Sequence, residues 1–120
     1  MSTLLFVYGT LKRGCSNHAQ MAGQTFVGLA RTTPGFYLYE LGGYPGLVAD
    51  ATDRDGVTGE VWSVDAAALQ RLDAFEGVAE GLYRREPVAL LDPFSGKMID
   101  AYLFAQSIAG RRRLGAVWSE

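Results

Sequence analysis

Glycine-separated runs of β-forming residues dominate this chain, and a single segment has the pattern of an amphipathic helix. That segment covers residues 65–75 and starts at Asp65, a good N-cap residue, followed by three alanines. Gly77 lies just beyond it, where a glycine commonly ends a helix. Its apolar side chains recur at helical spacing: Leu69, Leu72 and Phe75. The sequence therefore predicts one main helix in a chain that otherwise consists of strands and turns.

The β-type runs are short, rich in aromatic or β-branched residues, and bounded by turn-forming residues, as strands are. The predicted strands are 4–8, 25–32, 35–41, 57–64, 83–91 and 98–105. Residues 17–22 predict a short helix, and 47–49 form a short apolar run.

Turn residues between these runs indicate how the strands pair. Asp55-Gly56 is a hairpin signal ahead of the strand 57–64, and the turn at 92–96 predicts a second hairpin. Strands linked in this way favour an α+β fold with an antiparallel or mixed sheet and one main helix packed on it. Closure into a small barrel is one form that such a sheet takes. We expect residues 1–120 to form a single domain.

Composition narrows the classes of function and location. The 120 residues carry a formal net charge of -2, which gives no electrostatic attraction to nucleic acid or to an anionic membrane. Cys15 is the only cysteine and His18 the only histidine, so neither an intrachain disulfide nor a structural zinc site is predicted. The N-terminal apolar run is too short to span a bilayer, and we expect a cytoplasmic protein. The basic cluster 111–113 predicts a solvated tail rather than a phosphate-binding site.

Two places in the sequence are candidate site residues. The loop 9–14 follows the first strand, and a glycine there lets successive N–H groups face one anionic or carbonyl oxygen, with Thr10 and Lys12 as further donors. Glu76 is predicted at the C-terminal end of the helix, where the helix dipole and partial burial both raise a carboxyl pKa. Such a carboxyl suits general acid–base catalysis. Taken separately, a plain turn and an ordinary exposed Glu are the better explanations.

Three segments in matching order carry a resemblance to a known family that spans nearly the whole chain. The run FVYGTLKRG at 6–14, followed by Asn17-His18, resembles the N-terminal signature of the γ-glutamylcyclotransferase-like superfamily, which includes γ-glutamylaminecyclotransferase and AIG2-like proteins. GEVW at 59–62 resembles its central strand. LDAFEG at 72–77, with Tyr83 downstream, resembles the segment that carries its catalytic Glu.

The resemblance implies a small, mixed, mostly antiparallel β-barrel with one main flanking helix, and a reaction that needs neither cofactor nor metal. In that reaction the α-amine of a γ-glutamyl group attacks its own γ-carbonyl, and the products are 5-oxoproline and a free amine. Glu76 is then the general acid/base. The substrate-binding residues that the resemblance implies are Tyr8, Gly9, Thr10, Leu11 and Tyr83.

The leading hypothesis is therefore a γ-glutamyl cyclotransferase whose partner is a small γ-glutamyl amine or peptide. The alternative is a non-catalytic module that binds a γ-glutamyl compound or a small anion on the same fold. Relatives often have a tyrosine where this chain has Phe104, so a pocket hydroxyl is lost unless Tyr102 replaces it. Glu60 is either a second polar wall of the site or an ordinary paired or exposed Glu. The leaving amine and the oligomeric state stay open.

Overall fold

The computed structural model describes residues 2–120 and confirms an α+β fold with a mixed sheet and one main helix. The strands are β1 (Ser2–Val7), β2 (Thr25–Arg31), β3 (Phe36–Glu40), β4 (Pro45–Ala49), β5 (Thr58–Asp65), β6 (Tyr83–Pro87) and β7 (Asp100–Phe104). The α-helix α1 is Ala66–Phe75, and a 3-10 helix covers His18–Met21. Between residues 2 and 120, no helix combines the length and the apolar character that a membrane crossing requires.

Helix α1 begins and ends as its sequence predicts. The Asp65 carboxylate accepts a hydrogen bond from the Ala68 N–H at 2.7 Å, which satisfies a free donor of the first turn. Ala68 and Leu72 are buried against the sheet. Phe75, by contrast, is 43% exposed, so the buried face ends one turn earlier than the apolar pattern indicates.

The sheet is held together by β7, which has three neighbouring strands. The order is β2-β5-β1-β7-β4-β3, and β6 pairs antiparallel along the whole of β7. Strands β1 and β4 share the other edge of β7, both parallel to it: Leu5 lies opposite Asp100 near its start, and Leu47 lies opposite Leu103 near its end. The sheet of the described residues is not closed, so it only approximates the expected barrel.

Two apolar clusters cover the two faces of this sheet, because successive side chains of a strand point to opposite faces. Leu5 and Val7 belong to the cluster under α1. Phe6 and Tyr8 belong to the cluster on the opposite face. Strand β1 is therefore buried on both faces, as its continuous apolar run indicates.

The hairpin predicted at Asp55-Gly56 is wrong, because β4 does not pair with β5. Strand β4 pairs with β3 and β7 instead. The buried Asp53 carboxylate organises the intervening turn by accepting backbone hydrogen bonds from two places in the chain. Its donors are the N–H groups of Gly35, Phe36, Asp55 and Gly56. The turn is thereby tied to the start of β3, which directs the chain away from a two-residue hairpin.

The side chains of residues 111–113 are exposed to solvent, as predicted, but the segment packs on the sheet and is not a free tail. Its backbone continues the ladder of β3, where the Leu114 N–H donates to the Leu38 carbonyl at 2.8 Å. The Arg113 guanidinium lies 3.7 Å from the centroid of the Tyr37 ring and forms an ion pair with Asp50. These arginines are exposed, but they hold a segment in place.

The Asp53 turn makes folding stability depend on acid pH. Burial opposes ionisation of this carboxyl, but its four backbone donors outweigh that effect and lower its pKa to about 2 from an ordinary 3.8. A folded-state pKa below the unfolded one contributes stability above the unfolded pKa that is lost as the pH falls toward the folded one. We expect Asp53→Asn to lower the melting temperature at about pH 5, and the difference from wild type to shrink at about pH 2.5.

Thermal unfolding followed by circular dichroism at several pH values measures this difference. The exposed neighbour Asp55 provides the matched control, Asp55→Asn. A difference between wild type and Asp53→Asn that stays constant down to about pH 2.5 would contradict this account of the turn.

Candidate active site

The site lies where β1 and β4 separate along the edge of β7. From this point the side chain of Tyr8, the residue after β1, reaches both β4 and β7. Its hydroxyl donates to the Tyr102 carbonyl at 2.6 Å and accepts from the Leu47 N–H at 3.2 Å. A cavity of about 300 Å³ opens above this bridge.

The structure places all six predicted site residues around this one cavity. They are Tyr8, Gly9, Thr10, Leu11, Glu76 and Tyr83. The lining also includes residues that were not among the predicted site residues. They include Asn17, Tyr44, Phe75, Leu82 and Tyr102.

The loop after β1 turns its carbonyl groups toward the protein. The carbonyls of Gly9, Thr10 and Leu11 accept from the Lys12 N–H, the Asn17 N–H and the His18 ring, respectively. Within residues 2–120, the N–H groups of Gly9, Thr10 and Leu11 donate to no protein acceptor. The loop therefore retains three consecutive backbone donors beside the cavity, an arrangement that suits an anion or a polarised carbonyl.

A glycine is required at position 9 because the chain passes very close to β4. A Cβ atom at Gly9 would lie 2.7 Å from Cγ of Pro45, well inside van der Waals contact. The predicted contribution of Lys12 is wrong, since its ammonium group donates to the Trp118 carbonyl at 2.6 Å and is not part of the cavity lining. The Thr10 hydroxyl accepts from the Asn17 amide at 3.0 Å.

Glu60 anchors the other end of this loop rather than forming a wall of the cavity. Its carboxylate is buried, accepts from the backbone N–H and the Nε of Arg13 at 3.2 and 3.1 Å, and accepts from the Trp62 indole at 3.1 Å. The His18 ring packs beside Trp62, with ring centroids 5.3 Å apart. Glu60 is thus a paired Glu, and His18 and Trp62 are structural.

Glu76 is the C-cap residue of α1, and a glycine immediately after it sets its position. Gly77 has a φ of +68°, its N–H donates to the Ala74 carbonyl, and the Val78 N–H donates to the Asp73 carbonyl. This pair of hydrogen bonds is a Schellman motif. It places the Glu76 carboxyl at the negative end of the helix dipole, inside the cavity. Burial raises the pKa of Glu76 to about 7.

Four tyrosines line the cavity with Glu76, and three of them direct their hydroxyl protons to other acceptors. Tyr8 donates to the Tyr102 carbonyl, Tyr83 to the Pro45 carbonyl at 3.0 Å, and Tyr102 to the Asp73 carboxylate at 2.7 Å. Burial raises the pKa of all three, and the charge of Glu76 raises each further. A hydrogen bond to the Glu76 carboxylate would lower its pKa. These three hydroxyls donate to other acceptors, so they do not offset the effect of burial on that pKa.

The missing tyrosine at position 104 affects the cavity indirectly. Phe104 is outside its lining and packs edge-on against Tyr83, with ring centroids 5.6 Å apart. The hydroxyl that β7 contributes to the lining belongs to Tyr102. Phe104 therefore supports the ring of a lining residue without contacting the cavity itself.

Three apolar side chains at the mouth of the cavity are among the exposed large hydrophobic residues of the chain: Tyr44, Phe75 and Leu82. Sequence reasoning missed Tyr44 because the glycines and proline around it indicate only a turn. The signal that could have identified Tyr44 is its residue type. Turn positions are seldom occupied by large apolar side chains, so an aromatic residue in a turn indicates a functional role.

Comparison with known proteins gives a consistent result. The sequence profile of the family described as "Gamma-glutamyl cyclotransferase, AIG2-like" matches residues 5–120. A Vibrio cholerae protein provisionally named a gamma-glutamylcyclotransferase is 41% identical over 102 residues, which cover 85% of this chain and 84% of the relative. Gamma-glutamylaminecyclotransferase of Rattus norvegicus is 40% identical over 88 residues, covering 68% of this chain and 58% of the relative. The crystal structure of a mouse AIG2-like protein superposes with a TM-score of 0.78 at 30% identity, covering 88% and 79% of the two chains.

The partly buried Glu76 should cost the protein stability above neutral pH. Because its folded pKa of about 7 lies above the ordinary 4.5, ionisation destabilises the folded state progressively as the pH rises between these values. We expect Glu76→Gln to be more stable than wild type at about pH 8, by roughly 2–3 kcal/mol, and to show no such gain at about pH 4.

Urea unfolding at the two pH values measures the gain. Glu80→Gln, at an exposed position four residues on, is the control and should change stability little at either pH. An equal effect of Glu76→Gln at both pH values would contradict the raised pKa.

Proposed function

The chain belongs to the gamma-glutamyl cyclotransferase, AIG2-like family, and from this we propose that it converts a γ-glutamyl amine or peptide into 5-oxoproline and a free amine. The observation that carries the proposal is the position of Glu76. This carboxyl, with a pKa of about 7, shares a cavity with the N–H groups of Gly9, Thr10 and Leu11, which have no protein acceptor within residues 2–120.

The reaction needs no nucleophile from the protein, because both reacting groups belong to the substrate. The α-amine nitrogen forms a bond to the γ-carbonyl carbon, and the bond from that carbon to the leaving nitrogen breaks. Holding the substrate in the bent conformer that brings these atoms together removes much of the entropic barrier. The cavity of about 300 Å³ is small enough to restrict a γ-glutamyl group in this way.

Glu76 moves the proton that this exchange requires. As a carboxylate it accepts a proton from the attacking amine, and as a carboxylic acid it returns that proton to the leaving nitrogen. Both forms are accessible near neutral pH because its pKa is about 7.

The glutamyl end of the substrate binds the loop after β1. The negative charge and the carbonyl oxygen of the glutamyl end accept hydrogen bonds from the N–H groups of Gly9, Thr10 and Leu11. These N–H groups have no protein acceptor within residues 2–120. Backbone donors of this kind hold a carboxylate or stabilise a carbonyl oxygen as it gains charge. Tyr83 borders the cavity beside Glu76, where its ring restricts the substrate.

The leaving amine lies against the apolar mouth of the cavity. Tyr44, Phe75 and Leu82 provide surface for the carbon atoms next to the leaving nitrogen. Among the described residues, the lining has no Lys, Arg or His, and its carboxyl side chain is that of Glu76. A carboxylate on the carbon beside the leaving nitrogen therefore finds no cation there and is repelled by Glu76.

We expect the purified protein to release 5-oxoproline from at least one member of a panel of γ-glutamyl compounds, as measured by mass spectrometry. Glu76→Gln should lower turnover by about two to four orders of magnitude, which is the usual contribution of a general acid–base residue. In wild type, kcat/KM should rise with pH through about 7 as Glu76 ionises.

The control for this experiment is Glu80→Gln, which should retain wild-type turnover. Full activity of Glu76→Gln would refute the assigned mechanism. Tight binding of a γ-glutamyl compound in calorimetry, without any product, would favour the non-catalytic binding module instead.

The apolar mouth predicts which leaving groups are accepted. A γ-glutamyl alkylamine should have a kcat/KM about 10–100 times that of the matched γ-glutamyl amino acid, which adds a carboxylate beside the leaving nitrogen. Tyr44→Ala should lower kcat/KM for the alkylamine, whereas Leu29→Ala, at a position 67% exposed on β2, should not. Equal values for the two substrates would show that this mouth does not select the leaving amine.

A further inference from the structure

A polar network behind the cavity joins the end of α1 to two strands. The Asp73 carboxylate accepts from Nε and Nη2 of Arg85 at 2.9 and 3.2 Å, and from the Tyr102 hydroxyl at 2.7 Å. Arg85 also donates from Nη1 to the Asp100 carboxylate at 2.7 Å. Asp73 of α1 is thereby bonded to Arg85 of β6 and to Tyr102 of β7, and Arg85 extends the network to Asp100 at the start of β7.

This network is placed to control the orientation of the end of α1. Asp73 lies in the last turn of the helix, three residues before Glu76, and its own carbonyl accepts the Schellman hydrogen bond from Val78. The buried contacts of α1 with the sheet are made by Ala68 and Leu72, both earlier in the helix. Apolar contacts do not fix the orientation of the helix end. An Arg–carboxylate pair with two hydrogen bonds does, because it restricts direction as well as distance.

The chemistry of the site does not itself use Asp73 or Arg85. Neither belongs to the lining of the cavity, whereas Tyr102, to which Asp73 is bonded, does. Asp73 and Arg85 are 29% and 28% exposed, so the pair is partly shielded from solvent. A pair of this kind on a helix end, one turn from a reactive carboxyl, calls for an explanation beyond general stability.

We propose that Asp73 is a positioning residue: bonded to Arg85 and Tyr102, it fixes the direction in which the end of α1 presents Glu76 to the cavity. This inference rests on the proposed function, since it assumes that Glu76 moves the proton. Asp73 contributes in a second way by accepting the proton of the Tyr102 hydroxyl. Without that acceptor, a hydroxyl in the lining is free to donate to a Glu76 carboxylate and to stabilise its charged form.

The titratable groups that share the cavity with Glu76 all belong to tyrosines. They come from the end of β1, the turn before β4, β6 and β7: Tyr8, Tyr44, Tyr83 and Tyr102. Tyr8 and Tyr83 donate to backbone carbonyls, and these hydrogen bonds do not depend on Asp73. Loss of Asp73 therefore affects the hydrogen-bond donors near Glu76 only by freeing the Tyr102 hydroxyl.

The test measures kcat and KM over a range of pH for Asp73→Ala, Asp73→Asn and Arg85→Met. We expect Asp73→Ala to lower kcat by about 10–100-fold with little change in KM, as expected for small displacements of a reacting group. The acid limb of its pH profile should move to lower pH. Asp73→Asn, which retains an acceptor for Tyr102, should lower kcat with a smaller movement of that limb.

The matched control is the neighbouring ion pair of β6, Arg84–Glu86, whose side chains are 53% and 46% exposed. Arg84→Met and Glu86→Gln should leave kcat and the pH profile unchanged. Circular dichroism and melting temperatures establish that each variant is folded, and Tyr102→Phe replaces any variant of Asp73 that is not. Its pH profile should keep the wild-type acid limb, because Phe has no hydroxyl to donate.

A double variant separates positioning from a general loss of structure. If Asp73 acts through Glu76, Asp73→Ala combined with Glu76→Gln should retain the residual activity of Glu76→Gln alone. Multiplied losses in the double variant, or an unchanged kcat in folded Asp73→Ala, would overturn this inference. Full activity of Glu76→Gln would instead overturn the proposed function, so the two failures are distinguishable.

Discussion

The architecture depends on one edge of β7 being shared by two strands. Strand β1 occupies the first part of this edge and β4 the second, and both run parallel to β7. Two strands that follow one edge in succession part where one replaces the other. At that point the Tyr8 hydroxyl accepts from a β4 N–H and donates to a β7 carbonyl. The cavity exists because this side chain closes the bottom of the gap without filling it.

The same gap explains why a carboxyl can be kept half-protonated near neutral pH. The end of α1 covers the gap, so that Glu76 enters an environment built from aromatic rings and the negative end of a helix. Around it are tyrosines whose protons already serve the structure, Tyr8 across the gap and Tyr83 on the Pro45 carbonyl. Hydroxyls that hold the fold together are thus unable to stabilise the carboxylate. The same tyrosine hydrogen bonds therefore stabilise the fold and leave the pKa of Glu76 raised.

Local features of this protein could be predicted from the sequence, whereas long-range pairing could not. Asp65, the alanines after it and Gly77 specify α1 through contacts within a few residues, and the helix ends accordingly. The Asp55-Gly56 signal failed because the buried Asp53 ties that turn to residues 35 and 36, a contact that no local rule contains. The parallel pairs of β7 join segments more than 50 residues apart, and periodicity carries no information about them.

In the candidate site, too, the residues could be predicted from the sequence, whereas the long-range contacts that hold them could not. Family motifs brought Gly9 and Glu76 together although residue physics favoured a plain turn and an exposed Glu at each place. The residues that hold them are anchored separately: Glu60 of β5 holds the loop through Arg13, and Arg85 of β6 holds the helix end through Asp73. The proposed ring closure requires the loop after β1 and Glu76 to keep their relative positions, and each is anchored by a different ion pair on a different strand. Strand β7 connects these two anchors within one sheet, because it pairs directly with β6 and is joined to β5 through β1.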